Sequence, residues 1–150
     1  MIKVDLAVYN QNRELVLTVE VKTIRNVSEE WASQLRRNIL AHGSYPHSRY
    51  FLIATPDKFF LWKEQGHNLQ AIRPDYVADA STELEPFFKE FGVDLDHISG
   101  FIFEQIVARW LKNVMYPFYR NSDDPIPRWI VESDLEKAVL QGDFQFEMAA

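Results

Sequence analysis

Two carboxylates and a lysine near the start of the chain have the residue types of a cation site. Asp5 is followed by Glu20, and Lys22 lies two residues beyond Glu20. In a strand, residues two apart point to the same face. Neighbouring carboxylates repel each other, whereas a divalent cation held between them converts the repulsion into binding. These residues therefore predict a site for a divalent cation.

A β-hairpin would bring these residues together. Apolar and polar residues alternate before and after the turn formers Asn10 to Asn12, which is the pattern of two strands with distinct faces. Folding the chain at this turn pairs Tyr9 with Val16, and it therefore pairs Asp5 with Glu20. The hairpin predicts that the two carboxylates face each other across adjacent strands.

Asp5 and the sequence Glu20-Val21-Lys22 resemble the signature of the PD-(D/E)xK, or restriction-endonuclease-like, nuclease superfamily. The likeness covers roughly the first sixty residues and is strongest for Glu20 and Lys22. The resemblance implies that Asp5 and Glu20 hold Mg²⁺ or Mn²⁺, with the backbone carbonyl of Val21 as a further ligand. It implies that Lys22 is the catalytic lysine, which activates or positions the attacking water. DNA is the substrate that the resemblance implies.

A helix over residues 29–42 is predicted to follow the hairpin. Ser28 is a good N-cap, and acidic residues suit the first turn. In several branches of the family this helix carries a glutamine that borders the active site, and Gln34 matches that position. Arg36 and Arg37 are predicted to lie towards solvent or substrate, where they could contact a phosphate. The alternative is an ordinary solvated helix face.

The remaining strands complete a mixed sheet. Residues 49–55 form a continuous apolar run of the kind found in central strands, residues 59–63 form the next strand, and residues 69–72 a further short one. The order of strand, strand, helix, strand and strand matches the restriction-endonuclease-like core. The predicted fold class is α/β (α+β), with a central mixed sheet of about four or five strands flanked by helices.

The second half of the chain is predicted to be a mainly helical extension. A long helix opens at Asp96 or Ser99 and ends near Met115, and a shorter helix covers residues 129–140. A terminal strand is predicted over residues 144–148.

Glu104 lies inside the long helix, which looks similar to the N-terminal core helix of other family members. No helix precedes the hairpin in this sequence. We therefore hypothesise that the long helix takes that place and presents Glu104 to Asp5 and Glu20 as an additional metal ligand. The alternative is an exposed or paired helical glutamate.

Composition favours one domain over residues 1–150, with a nuclease-like part at 1–73 and an acidic extension at 74–150. The chain is 47% hydrophobic, has no cysteine and carries a net charge of −6. Residues 1–73 contribute +3 to this charge and residues 74–150 contribute −9, so the basic half holds the candidate site. Without cysteines, a signal peptide or a membrane-spanning apolar run, a cytoplasmic location and no membrane partner are expected.

Three functional interpretations follow. The first is a Mg²⁺-dependent endodeoxyribonuclease that hydrolyses phosphodiester bonds in DNA. The second is a catalytically inactive module of the same fold that binds nucleic acid or a partner protein, because a fold does not determine function. The third is a small interaction domain in which Asp5, Glu20 and Lys22 form a surface ion-pair ladder. The aromatic-rich C-terminal helices also offer a surface for a homodimer.

Overall fold

In the computed structural model, which describes residues 3–42, 45–63, 71–120 and 125–149, a six-stranded sheet is flanked by helices on both faces. The strands are β1 (Lys3–Tyr9), β2 (Leu15–Val21), β3 (Tyr50–Ala54), β4 (Lys58–Lys63), β5 (Tyr76–Asp79) and β6 (Asp143–Ala149). The helices are α1 (Glu29–Leu40), α2 (Ser81–Phe91), α3 (Gly100–Met115), α4 (Arg128–Glu132) and α5 (Leu135–Val139), with a 3₁₀-helix at Pro117–Tyr119.

The sheet is mixed, with the strand order β5-β4-β3-β2-β1-β6. Only β2 and β3 run parallel, and α1 forms the crossover between them; every other neighbouring pair is antiparallel. The mixed α and β composition and the helix crossover are confirmed. The described residues form six strands instead of four or five, because β5 and β6 from the second half of the chain pair with β4 and β1.

The hairpin register is confirmed in its middle and wrong at its turn. Its pairs are Leu6 with Val19, Ala7 with Thr18, and Val8 with Leu17. The next step is irregular, because Tyr9 pairs with Leu15 instead of the predicted Val16. A bulge places two residues of one strand opposite one residue of the other, so the register differs by one residue on its two sides. On the side away from the turn, the pairing of Leu6 with Val19 continues in the predicted register towards Asp5 and Glu20.

The sheet has two buried faces of different composition. The α3 face is covered by α2 to α5 and includes Leu6, Leu17, Leu52, Phe59 and Leu61 in one large apolar cluster. The α1 face is covered by α1 and includes Ala7, Phe51, Ile53, Phe60 and Trp62 in a smaller cluster. Alternate residues of β3 and β4 enter opposite clusters, as the two-residue period of a strand requires.

The predicted elements differ from the structure at three places. Residues 76–79, for which the sequence predicts no strand, form β5, an edge strand whose side chains alternate between half-buried and exposed. Of the predicted strand at 69–72, residues 69 and 70 lie outside the described residues, and Ala71 and Ile72 are not in a strand. The predicted helix at 129–140 is divided into α4 and α5, because Asp134 has a left-handed conformation with φ 62°.

α1 begins where its sequence predicts and ends slightly earlier. The Ser28 hydroxyl accepts a hydrogen bond from the Trp31 N–H at 3.1 Å, and Glu29 and Glu30 lie in the first turn. The helix ends at Leu40 instead of residue 42. Among the helices that the structure describes, none has the length and apolar character needed to cross a membrane.

Candidate active site

The end of the β1–β2 hairpin brings Asp5 and Glu20 together. Asp5 Oδ2 accepts a hydrogen bond from the Val21 N–H at 2.8 Å. The Asp5 backbone N–H in turn hydrogen-bonds the Glu20 carboxylate, and the Asp5 charge acts on that carboxylate. The predicted juxtaposition of the two carboxylates is therefore present, and it is held by the backbone of both strands.

Glu20 is a buried acid with an unusual protonation equilibrium. The residue is only 6% exposed. Burial, and then the neighbouring charge of Asp5, raise the pKa of Glu20 to about 7; the Tyr45 hydrogen bond and the Lys22 charge act in the opposite direction. At neutral pH a proton and a cation would therefore compete for this carboxylate.

Tyr45 completes the surroundings of Glu20, and sequence reasoning missed it. Its hydroxyl donates a hydrogen bond to Glu20 Oε2 at 2.9 Å, and the residue is 4% exposed. Burial and the Glu20 charge raise the pKa of Tyr45 well above its usual range, so it stays a neutral donor. Tyr45 lies in the connection that follows α1, and no local pattern connects a loop tyrosine to a strand residue 25 positions earlier.

Lys22 lies at the end of β2, beside the two carboxylates. Its backbone N–H donates to the Ala54 carbonyl of β3 at 3.0 Å, which fixes the chain at this point. The side chain is half-buried, and its charge lowers the pKa of Glu20. Three of the predicted site residues, Asp5, Glu20 and Lys22, are thus brought together. The role of the Val21 carbonyl stays a prediction.

The predicted residues of α1 point in different directions. Gln34 and Arg37 are exposed, and Gln34 lines a surface cavity of about 290 Å³. The predicted solvent-facing placement of Arg36 is wrong: the residue is 2% exposed and its guanidinium lies over the rings of Phe51 and Trp62. Three-residue steps along a helix rotate the side chain by less than a full turn, so Arg36 follows Ser33 onto the sheet side.

Glu104 is not part of a larger acidic group with Asp5 and Glu20. It lies in α3, whose apolar residues pack on the sheet face opposite α1, and its side chain is half-buried. Among residues 3–42, 45–63, 71–120 and 125–149, no three histidine or acidic side chains are arranged to hold a metal ion. A role for Glu104 as a ligand stays a prediction.

The residues present fit a divalent cation through their charge and chemistry. Two hard oxygen donors are adjacent, one of them is buried, and burial together with the charge of Asp5 raises the pKa of Glu20. Tyr45 and the Asp5 N–H use only part of the hydrogen-bonding capacity of the Glu20 carboxylate, because its two oxygens have about four acceptor sites. Asp5 and Glu20 are therefore the residues that would hold Mg²⁺ or Mn²⁺.

Comparison of the chain with protein-family models, with curated proteins and with solved structures gives no match. The roles proposed below therefore rest on the geometry and chemistry of the residues themselves: Asp5, Glu20, Lys22 and Tyr45.

Proposed function

We propose that this protein is a metal-dependent nuclease of the PD-(D/E)xK type that hydrolyses phosphodiester bonds in DNA. The observation that supports the proposal best is the buried Glu20 carboxylate beside Asp5, with Lys22 close enough to influence its pKa. A pair of acids chosen only for stability would avoid this arrangement, because like charges facing each other across strands are destabilising. Perturbed acids of this kind concentrate at functional sites.

In the proposed reaction, Asp5 and Glu20 hold the cation, and the Val21 carbonyl is a further candidate ligand. When bound, Mg²⁺ or Mn²⁺ would supply Lewis acidity to a phosphate oxygen and to the attacking water. Lys22 orients this water and steadies the charge that develops on the phosphate. The water oxygen forms the new bond to phosphorus, the ester P–O bond breaks, and the departing oxygen takes up a proton.

The surrounding residues have supporting parts in this proposal. Tyr45 fixes Glu20 Oε2, so the carboxylate keeps one orientation. Gln34 borders the site, and Arg37 contacts a backbone phosphate of the DNA. A homodimer belongs to the same proposal.

Cleavage assays test the proposal. Supercoiled plasmid, branched DNA and single-stranded oligonucleotides are incubated with Mg²⁺ or Mn²⁺ and with the parent chain, Lys22→Ala or Lys137→Ala. Lys137 is an exposed lysine of α5, so its variant controls for the loss of one positive charge. We expect metal-dependent cutting that disappears in Lys22→Ala and persists in Lys137→Ala. Equal cutting by both variants would contradict the assignment of the site.

The second candidate is an inactive module of the same fold that binds nucleic acid or a protein. It is favoured by the −9 charge of residues 74–150, which opposes the binding of a polyanionic substrate by that half of the chain. Turnover distinguishes the two candidates. Mn²⁺ binding in a calorimetric titration, without turnover on any of the DNA substrates, would favour the module.

A further inference from the structure

A buried arginine on α1 lacks the partners that such a residue normally needs. Arg36 is 2% exposed, and its Nε and Nη1 atoms have no hydrogen-bond partner among the described residues. No ion pair involving its guanidinium occurs in the part of the chain that the structure describes. A buried cation without an acceptor is costly, and such a group in a native protein points to a ligand or an ordered water.

The two aromatic rings compensate for only part of this cost. The guanidinium carbon lies 5.7 Å from the centre of the Phe51 ring and 5.5 Å from that of Trp62. These contacts favour the charged form but accept none of the N–H donors. Burial lowers the pKa of Arg36, and the charge of Asp75 opposes this effect. The guanidinium keeps its charge and still has donors to offer.

A second unpartnered donor lies one helical turn before Arg36. Ser33 is 6% exposed, and its Oγ also has no hydrogen-bond partner among the described residues. Residues three apart on a helix are neighbours, so the hydroxyl and the guanidinium share one side of α1. Two adjacent buried polar side chains with unused donors are unlike ordinary packing.

A cavity opens beside Ser33. Its volume is about 290 Å³, and it is lined by Glu30, Ser33, Gln34, Ala71 and Arg73. Arg36 is not one of these wall residues, but its guanidinium lies over the ring of Trp62, which donates its Nε1–H to the Ile72 carbonyl at 2.8 Å. Trp62 therefore connects Arg36 to the segment that carries Ala71 and Arg73.

The charges around the cavity are mixed. Glu30 and Arg73 line it, and Arg73 lies 3.6 Å from Glu29, with which it forms an ion pair. Asp75, an exposed residue, accepts a hydrogen bond from the Lys63 N–H at 2.7 Å and is the acid whose charge acts on Arg36. An anion bound at Ser33 would lie on the side of α1 that also carries Arg36.

We propose that the cavity beside Ser33 and Arg36 binds a phosphate group. A guanidinium matches the spacing of phosphate oxygens, and a serine hydroxyl can donate to a third oxygen. The phosphate belongs either to nucleic acid or to a small phosphorylated molecule. The proposal does not depend on cleavage or on a metal at Asp5 and Glu20, because it uses other side chains.

Thermal unfolding with inorganic phosphate tests the proposal in the presence of EDTA, with chloride at matched ionic strength as the reference. We expect phosphate at ten times its Kd to raise the Tm of the parent chain by roughly 3–6 °C. Arg36→Met should lose this shift. Because it removes a buried, unpaired charge, it should also unfold at a higher temperature than the parent when phosphate is absent. Arg128→Met, altered at an exposed arginine of α4 that has no part in either proposed site, should retain the shift.

Two results would overturn the proposal. One is a parent Tm that responds equally to phosphate and chloride. The other is an Arg36→Met variant that unfolds at a lower temperature yet keeps the phosphate shift, because the arginine would then serve packing alone. Should Arg36→Met not fold, Ser33→Ala provides the test: binding weakened roughly three- to tenfold supports the site, and unchanged binding overturns it.

The same experiment identifies the source of the phosphate. A short DNA oligonucleotide that competes with inorganic phosphate in the parent, and binds more weakly to Arg36→Met than to Arg128→Met, assigns the cavity to a nucleic-acid backbone. Phosphate binding without competition assigns it to a small phosphorylated molecule. Both outcomes support a phosphate site, and both can be read when no DNA is cleaved.

Discussion

The two buried faces of the sheet differ in the polar side chains that they contain. On the α3 face, the fully buried side chains are almost all apolar, and Glu83, half-buried among them, accepts hydrogen bonds from the indoles of Trp110 and Trp129. On the α1 face, Thr18, Glu20, Ser33 and Arg36 are buried polar or charged residues. Two of these four have side-chain donors without partners, and a third has a strongly raised pKa.

This difference indicates that the α3 face mainly stabilises the fold and that the α1 face carries the binding groups. Apolar burial is the main stabilising contribution to folding, and the α3 face supplies most of it. Buried polar groups reduce stability unless they are fully paired, so their concentration beside α1 indicates binding functions. We therefore expect substitutions on the α3 face to change stability alone. Substitutions on the α1 face should change binding and, for some residues, raise stability.

Glu20→Gln is expected to have the largest effect on function. The substitution removes one of the two charged cation ligands, so metal-dependent cleavage should fall by about 10³-fold or more, which corresponds to about 4 kcal/mol. The variant should still fold, and it should be more stable than the parent at pH 8 in EDTA because a buried charge is gone. Cleavage rates and urea unfolding measure the two effects. Retained cleavage would show that Glu20 is not part of the cleavage site.

Phe59→Ala is the matched substitution on the α3 face. The Phe59 ring lies 4.4 Å from Trp110 and 5.3 Å from Trp129, centre to centre, and the residue is fully buried. Its loss should lower the free energy of unfolding by about 3–5 kcal/mol. Mn²⁺ affinity of the folded variant should stay unchanged. A large loss of Mn²⁺ affinity would show that the two faces are not separable.

Stability should also depend on pH through Glu20. Its pKa rises from 4.5 to about 7 on folding, so the folded state holds more protons than the unfolded state between these values. Its contribution to stability is therefore complete below pH 4.5 and is lost as the pH rises through 7, by up to about 3 kcal/mol. Urea unfolding at pH 5 and pH 8 in EDTA measures this loss. The decrease in stability should be smaller in Glu20→Gln than in the parent. Equal decreases in the two proteins would contradict the role of Glu20 in this pH dependence.

Tyr45→Phe should have the smallest effect of the four. The variant keeps the ring, which packs 5.7 Å from Phe51, and removes the donor to Glu20 Oε2. Mn²⁺ affinity should fall by about 10–100-fold, as is usual when a residue that orients a metal ligand is lost. Titration of Mn²⁺ followed by its electron paramagnetic resonance signal measures this change. Tyr119→Phe, at an exposed tyrosine, is the control and should bind Mn²⁺ like the parent.

The parts of the fold predicted from sequence are those with strong local patterns. The alternation around Leu6 and Val19 set the hairpin register, and Ser28 marked the start of α1. β5 was missed because an edge strand of four residues has no continuous apolar run. The break at Asp134 was missed because its left-handed backbone conformation is imposed by tertiary structure.

The candidate site was predictable where it depends on one hairpin. Asp5, Glu20 and Lys22 follow from strand period and turn position, which are local properties. Tyr45 and Arg36 depend on how the segment after α1 and the face of α1 pack on the sheet, and these contacts join residues that are distant in sequence. The solvent-facing prediction for Arg36 failed because charged residues are usually exposed.

The most direct measurement is a carbon-13 NMR titration of the Glu20 carboxyl group, in EDTA and then with Mg²⁺, using Glu20→Gln to assign the signal. We expect a midpoint near pH 7 without metal. We also expect the midpoint to fall by at least about one pH unit with Mg²⁺, because a cation stabilises the ionised pair. A midpoint near 4.5 without metal, or one that Mg²⁺ does not move, would contradict the central claim that Asp5 and Glu20 form a cation site.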